Sequence, residues 1–504
     1  MGKFGKSVKI FVYGVLSQTV ILLLGIIVPK LLIVNYGSEV NGLLSSVRQV
    51  FVYVTLLEAG IGGASVQALY EPISKSDYVR SSQILAATDR YYKRTGFLYA
   101  IAVVLLAIIY PIIIKSSISP IVVAWVIFFQ GASGVINYFF QGKYTILMKV
   151  DGRSYITTNA NTVVNVLSKV FQIILIMIGS NIVIIQFSYF IISITQMIYI
   201  LWYTRRHYPW LDLQQEPDYK SLTQSKNVII HQIAWMIFNN TDIIVLTYFC
   251  GLTSVSIYSL YSMIVSCVTN VLTVLVSSVE FALGQLFNSD RKKFDKLHET
   301  YETYFLATLF SLFTITYIML PSFIRIYTNG IKDANYIDKY LPILFVFLNV
   351  LLYSRNSSML IINIAGHFKQ TQNQAIIESI INLSISLILV NIIGIYGVLI
   401  GTIIALLYRS NEIIIYANTK ILNRKCSITY RRILINFAIM IVCILIIKII
   451  LPVINGYFTW GINAIWVSVL CITLFFAVDS LFDNSSFAII KGVVKGKIIK
   501  KKEN

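Results

Sequence analysis

The sequence predicts an all-α, polytopic membrane protein with about 14 transmembrane helices, arranged as two six-helix bundles followed by two further helices. Of its 504 residues, 57% are hydrophobic and only 12% are charged, an excess of apolar residues that no soluble globular core needs. Apolar runs of about 20 residues, the length that crosses a hydrocarbon core of roughly 30 Å, recur from end to end. A transmembrane barrel would instead show short alternating segments, so the spans are predicted to be helices.

The predicted spans follow one another with short connections. Lys3, Lys6 and Lys9 precede an apolar run that is too long for a signal peptide and lacks a small-residue cleavage site, so this run is expected to remain as the first span. In chain order the spans are 10–34, 43–69, 95–114, 120–146, 156–179, 181–204, 227–250, 255–286, 301–327, 341–364, 373–393, 396–418, 432–453 and 462–482.

The net charge of +19 is attributed to membrane topology and not to nucleic acid binding. With a cytoplasmic N-terminus, roughly 31 of the 41 Lys and Arg residues fall in inside loops and tails, the asymmetry that the positive-inside rule predicts. An even number of spans then places both termini in the cytoplasm. These basic segments are expected to contact anionic membrane lipids. The Ile-, Asn- and Lys-rich usage favours a low-GC bacterium and therefore the cytoplasmic membrane.

An internal repeat is predicted from two similar stretches. VNYGSEVNGLLSSVRQV at 34–50 parallels TYFCGLTSVSIYSLYSMIV at 247–265: an apolar helix end, a Gly, a short polar turn and a Ser-rich helix start. The offset of about 215 residues corresponds to six spans, so the two copies share one orientation and a pseudo-two-fold axis along the membrane normal. The predicted domains are an N-terminal lobe at 1–210, a C-terminal lobe at 211–420, and two extra helices with a basic tail at 421–504.

Nine of the ionisable residues within the predicted spans are candidate functional charges, because each charge at mid-membrane costs about 2.5–3.5 kcal/mol. They are Arg48, Glu58, Lys169, Asp242, Glu280, Arg355, Glu378, Arg409 and Glu412. Arg409 and Glu412 stand at positions i and i+3, so a local ion pair is predicted. Glu378 and Glu280 lie toward the cytoplasmic ends of their spans, where snorkelling or helix capping accounts for them.

The three remaining cations, Arg48, Lys169 and Arg355, are the predicted residues of a substrate-binding cavity. Arg suits bidentate contact with a phosphate, and Lys acts as a point charge. A second interpretation stays open, in which these cations form buried ion pairs with acidic residues of other spans. The candidate charge partners or coupling-ion sites are Glu58, Asp242 and Glu280.

The sequence holds no motif for catalysis, metal binding or a cofactor. There is no P-loop, no H-E-x-x-H and no G-x-S-x-G. The cysteines have no metal-ligand spacing and are predicted to be small packing residues; they are Cys250, Cys267, Cys426, Cys443 and Cys471. We therefore expect a protein that is not an enzyme and has no cofactor and no metal.

Four stretches together carry a family resemblance that covers nearly the whole chain. They are NGLLSSVRQVFVYVTLLEAGIGGASVQALY at 41–70, LMKVDGRSY at 147–155, NNTDIIVLTYFCGLTSVSIYSLY at 239–261, and IAGHFKQTQNQAIIESIINLSISLILVNIIGIYGVLIGTIIALL at 364–407. They resemble the Wzx-type oligosaccharide, or polysaccharide repeat-unit, flippases of the MATE/MOP exporter superfamily.

The resemblance implies two six-helix lobes around a central cavity, with two additional C-terminal helices. It implies a substrate, an oligosaccharide repeat unit linked by pyrophosphate to undecaprenol, which alternating access moves from the inner to the outer leaflet for capsule or O-antigen assembly. Arg48 matches a place where family members carry polar or basic cavity residues, and Asp242 matches the Asp of the seventh-span pattern. Polysaccharide polymerase and chain-length machinery are the candidate protein partners.

Three other functions are alternatives to this one. A multidrug or cation antiporter of the same superfamily would favour an acidic, aromatic cavity, which the three cations argue against. A peptidoglycan-precursor flippase would share the spans and the cavity arginines. An integral-membrane polymerase or glycosyltransferase would need a catalytic outside loop, and the longest predicted outside loop, 328–340, is too short to supply one.

Overall fold

The computed structural model describes residues 24–58, 60–222 and 226–494, and within these ranges every secondary-structure element is helical. Twelve helical segments of this part of the chain are long and apolar enough to cross a membrane, and each overlaps a predicted span. The predicted class, an all-α multi-pass membrane protein, is confirmed.

The helices vary widely in length. In chain order they are α1 (Leu24–Tyr36), α2 (Ser38–Val54), α3 (Ile61–Ser74), α4 (Tyr78–Ile113), α5 (Pro120–Ile136), α6 (Gly142–Val150), α7 (Ser154–Met177), α8 (Ile182–His207), α9 (Lys226–Phe249), α10 (Gly251–Ser289), α11 (Arg291–Tyr327), α12 (Leu341–Ser354), α13 (Asn356–Ile364), α14 (Phe368–Ile393), α15 (Ile395–Tyr416), α16 (Ser427–Ile450), α17 (Tyr457–Phe482) and α18 (Asn484–Val494).

Two predicted spans are not among the twelve. Of the first span, 10–34, the part before residue 24 lies outside the described residues, as do the lysines ahead of it. The seventh span, 227–250, corresponds to α9. The total of about 14 spans therefore stays a prediction.

Polar caps and glycines set several helix boundaries. Asp77, Asn181 and Asp290 precede α4, α8 and α11, and the side chain of each accepts a backbone N–H of the first turn, which satisfies a donor that has no partner within the helix. Gly37, between α1 and α2, has a φ of 85°, and Gly251, at the start of α10, has a φ of 79°. Only glycine adopts such values without steric cost.

Large apolar side chains remain exposed on the outer faces of the helices. Ile112 of α4 is 79% exposed and Ile449 of α16 is 85% exposed. Such exposure would be unfavourable in water and is expected of helices whose outer faces contact lipid.

The chain divides into two compact units, with the boundary between Leu260 and Tyr261 in α10. The core of the first unit includes Leu43, Leu69, Ile84, Val126 and Leu147, and a core cluster of the second unit includes Phe294, Leu360, Ile361, Ile413 and Ala417. The three-part division at residues 210 and 420 stays a prediction.

In the second unit, α14 and α15 pack closely where two glycines of α15 face α14. A Cβ at Gly397 would lie 2.4 Å from the backbone of Leu389, and one at Gly401 would lie 2.3 Å from the Ser386 side chain. The small-xxx-small spacing of these glycines thus serves helix packing within the chain. Among the cysteines, Cys443 and Cys471 are buried, as expected of packing residues, whereas the other three are partly exposed.

Candidate functional site

A polar seam joins α2 to α9 and to the start of α10 in the first unit. The hydrogen-bonded pairs of this seam are Asn41–Ser256, Ser46–Thr247, Gln49–Asn240 and Tyr53–Thr241. Polar side chains inside a membrane protein pair across helix interfaces because lipid offers them no partner. The seam fixes the rotation of α2 and thereby the direction in which its remaining polar residues point.

Arg48 lies on α2 beside this seam, and its side chain is exposed. Lys169 of α7 is partly buried, with its Nζ 3.4 Å from Oε1 of Gln172. The charge of Arg48 is close enough to act on Lys169. Neither cation forms an ion pair with a carboxylate in the described ranges of the chain. We call these two residues the cation pair. Two neighbouring like charges within membrane helices make a site suited to an anion.

Glu58, at the end of the 3-10 turn Thr55–Glu58, is held by two tyrosines of the first unit. The hydroxyls of Tyr92 and Tyr138 donate hydrogen bonds to it. A Cβ at Gly62 would lie 3.1 Å from Oε1 of Glu58, so the glycine leaves room for the carboxylate. Tyr138 belongs to the π-helical turn Asn137–Gln141, a type of helix distortion that is frequent at functional sites.

The other two candidate acids differ in environment. Asp242 of α9 is buried and accepts a 2.9 Å hydrogen bond from the Tyr258 hydroxyl, within the first unit. Glu280 of α10 is exposed.

Arg355 connects α12 to α13 in the second unit and forms an ion pair with α14. Its Nη1 lies 2.7 Å from Oε1 of Glu378, and Nε of Arg409 lies 3.5 Å from Oε2 of the same carboxylate. Arg409 also pairs with Glu412, which confirms the predicted i, i+3 pair. Glu378 is buried between two arginines, so the expectation that it snorkels or caps its helix is wrong.

Sequence reasoning missed a second buried network, on α11 and α16. Glu302 is 0% exposed and lies 2.7 Å from Nη2 of Arg424 while also pairing with Arg432. Arg432 in turn places Nη2 2.7 Å from Oδ2 of Asp483. Glu302 stands at the start of the predicted span 301–327. Its partners are more than 100 positions away, so no local pattern announces them.

A buried pair in the first unit was missed for the same reason. Lys143 of α6 contacts Asp89 of α4, and Lys93 lies 2.9 Å from the other oxygen of that carboxylate. Asp89 and Lys143 are both buried, so this ion pair links α4 to α6.

Comparisons with known proteins bear on both the family and the fold. A family model described as "Polysaccharide biosynthesis protein" matches residues 7–283. No curated protein matches the chain in sequence.

Several solved structures share the fold at low sequence identity. One is a lipid II flippase, MurJ, in an inward closed conformation, with a TM-score of 0.66 and 14% identity over 94% of this chain and 99% of that one. Another is a multidrug resistance MATE family transporter of the MOP superfamily in an inward-facing conformation, with a TM-score of 0.62 and 14% identity over 81% and 96%. An outward-facing structure of a transporter with the same description has a TM-score of 0.54 and 14% identity, over 84% of this chain and 96% of that one. At these identities the likeness concerns the fold.

Proposed function

The chain belongs to the polysaccharide biosynthesis protein family, as the sequence resemblance predicted, and from this premise we propose that it is a flippase. Its substrate is an undecaprenyl-pyrophosphate-linked oligosaccharide repeat unit, which it moves from the inner to the outer leaflet of the bacterial cytoplasmic membrane. It does so by alternating access, with both termini in the cytoplasm. The product supplies surface polysaccharide assembly, and the protein itself performs no catalysis.

The cation pair is the observation that supports this proposal. Arg48 and Lys169 lie within electrostatic range of each other in membrane-spanning helices and have no carboxylate partner in the described parts of the chain. At about 2.5–3.5 kcal/mol for each charge at mid-membrane, an anionic ligand would offset much of the cost. A pyrophosphate fits, because the Arg fork binds two oxygens at once while the Lys supplies a movable point charge.

Arg355, in the second unit, is proposed as a further substrate-binding cation. Because it pairs with Glu378, a substrate phosphate would have to take the place of that carboxylate. Such an exchange of anions at a helix junction can link substrate binding to a rearrangement of α12 and α13.

Glu58 and Asp242 are proposed as the sites that couple transport to an ion. Each carboxylate is held by tyrosine hydroxyls, so it can take up a proton or a small cation without leaving a hydroxyl unpartnered. Glu280, which is exposed, is retained as a candidate charge partner.

The test compares five variants in cells that depend on this protein for surface polymer, with the leaflet distribution of the lipid-linked oligosaccharide as the readout. Arg48→Ala and Lys169→Ala should each leave the oligosaccharide on the cytoplasmic face and lower surface polymer at least about tenfold, the effect of one lost charged contact. Arg48→Lys should retain partial activity, because lysine keeps the positive charge but lacks the guanidinium group that contacts two phosphate oxygens at once. Arg90→Ala removes an exposed cation of α4 and should behave as wild type. Normal flipping by an Arg48→Ala, Lys169→Ala double variant would overturn the proposal.

One observation favours a second candidate, a cation or multidrug antiporter. Glu58 with Tyr92 and Tyr138 forms an acidic, aromatic cluster of the kind that attracts organic cations. In that case the deletion strain would show altered resistance to cationic drugs with a normal oligosaccharide distribution. A peptidoglycan-precursor flippase would instead cause that precursor to accumulate on the cytoplasmic face.

A further inference from the structure

The last three turns of α8 carry exposed apolar, aromatic and basic side chains together. Trp202 is 52% exposed and Ile198 is 58% exposed, and Arg205 and Arg206 are exposed as well. These residues and Leu201 line an open surface groove of about 640 Å³. The groove lies wholly within the first unit.

The charges of this groove have one sign. Arg206 places its guanidinium 5.6 Å from the ring centroid of Trp202, a cation–π contact that orients the charge over the groove. Neither arginine forms an ion pair with any carboxylate the structure describes, and none of the described lining residues is acidic. His207 differs, because its ring stacks on Tyr203 at 4.0 Å and its Nδ1 lies 3.0 Å from that residue's carbonyl oxygen.

Cations in a last helical turn also interact favourably with the helix dipole, and this effect alone explains why arginines are placed there. It does not account for the apolar half of the groove. Ile198 lies two turns before Arg205, about 10 Å deeper along the axis. A tryptophan stands between the two levels. This order, from apolar through aromatic to basic, matches the passage from acyl chains to headgroups at a membrane surface.

We propose that this groove binds an anionic phospholipid of the cytoplasmic leaflet. Arg205 and Arg206 contact the lipid phosphate, Trp202 lies at the level of the glycerol, and Ile198 and Leu201 contact the first acyl carbons. The positive-inside rule places this end of α8 on the cytoplasmic side, where anionic lipids attract basic residues. The site does not depend on the flippase function, and its occupant is a resident lipid of the bilayer.

Binding of phosphatidylglycerol to the purified full-length protein tests the site, with phosphatidylcholine as the neutral comparison and native mass spectrometry as the readout. An R205Q/R206Q variant should bind phosphatidylglycerol roughly 30-fold more weakly, the summed contribution of two cations near an anionic surface. W202L should weaken it about two- to fivefold, because the cation–π contact no longer holds Arg206 in place. Phosphatidylcholine binding should stay the same in all variants.

The matched control is R90Q/R94Q, which removes the same charge from exposed positions of α4 and should leave the affinity unchanged. If R90Q/R94Q lost as much affinity for phosphatidylglycerol as R205Q/R206Q, the loss would be due to net charge alone. That result would overturn the proposed site. Wild-type affinity in R205Q/R206Q would also overturn the proposed site. If R205Q/R206Q failed to fold, wild-type affinity in W202L would overturn it instead. Displacement of phosphatidylglycerol by equimolar undecaprenyl pyrophosphate would overturn the phospholipid assignment. It would indicate that the groove binds the transported lipid.

Discussion

Asn41 of α2 donates a 2.8 Å hydrogen bond to Ser256 of α10, and the two residues are 215 positions apart. This separation is close to the offset of about 215 residues between the two similar stretches of sequence. Each of the two residues follows shortly after a glycine with positive φ, Gly37 or Gly251. The contact therefore joins the two similar stretches, while the pseudo-two-fold symmetry stays a prediction.

The close approach at this contact depends on Gly42. A Cβ there would lie 1.9 Å from the carbonyl oxygen of Leu252, which as backbone cannot move aside. Gly42→Ala should therefore lower the free energy of unfolding by about 1–3 kcal/mol through overpacking, measured by thermal unfolding in detergent. Gly284→Ala is the control, because nothing lies within 4 Å of a Cβ at that position. A wild-type melting temperature for Gly42→Ala would contradict the packing of α2 against α10.

Glu302 should be the acidic residue whose loss is most costly to the second unit. Its removal leaves Arg424 and Arg432 without their shared carboxylate, and breaking a buried ion pair on one side costs about 3–5 kcal/mol. Glu302→Gln is expected to lower the melting temperature strongly. Glu299→Gln is the control, since Glu299 is only partly buried and lies 3.6 Å from Arg424. Similar melting of both variants would show that the network contributes little.

A double-mutant cycle separates two roles for Arg355. Arg355→Met should cost about 3–5 kcal/mol of stability, because Glu378 loses a buried partner, and Arg355→Met with Glu378→Met should recover most of it, since apolar pairs often replace buried ion pairs without loss. If Arg355 also binds substrate, the double variant stays inactive in transport although it is stable. Losses of stability that simply add would show that the 2.7 Å contact does not couple the two residues.

Acid sensitivity is predicted for Asp483, which lies between α17 and α18. Burial raises the pKa of this carboxyl, but hydrogen bonds from Ser485, Ser486, Thr303 and Arg432 outweigh it and hold the pKa below its ordinary value. Because the unfolded-state pKa is about 3.9, the carboxylate stabilises the fold above about pH 4, and this contribution is lost as the pH falls through the lower folded-state pKa.

Melting curves at pH 7 and in acid check this expectation. Wild type should melt above Asp483→Asn at neutral pH, and the difference should shrink below about pH 4. Glu216→Gln, at an exposed loop position, should show no such convergence. A difference that stays constant with pH would assign the effect of Asp483→Asn to lost packing and not to charge.

The sequence by itself determined the fold class and the positions of most membrane helices. The reason is local: a helix that crosses the membrane must satisfy its own backbone hydrogen bonds and supply about 20 apolar residues in a row. The Arg409–Glu412 pair was predictable for the same reason, because one helical turn brings the two residues together.

Only the tertiary structure decided which charges meet. Glu378 pairs with Arg355 from another helix, Glu302 lies between two arginines of the α15–α16 connection and α16, and Glu58 is held by tyrosines of α4 and the turn after α5. Each choice depends on how far a helix is rotated and which helix it packs against, and apolar sequence patterns in a membrane protein leave both undetermined, because lipid and protein interior are similarly apolar. Arg48 and Lys169 were candidates from the sequence because their charges are costly in a membrane, but their proximity is a property of the fold.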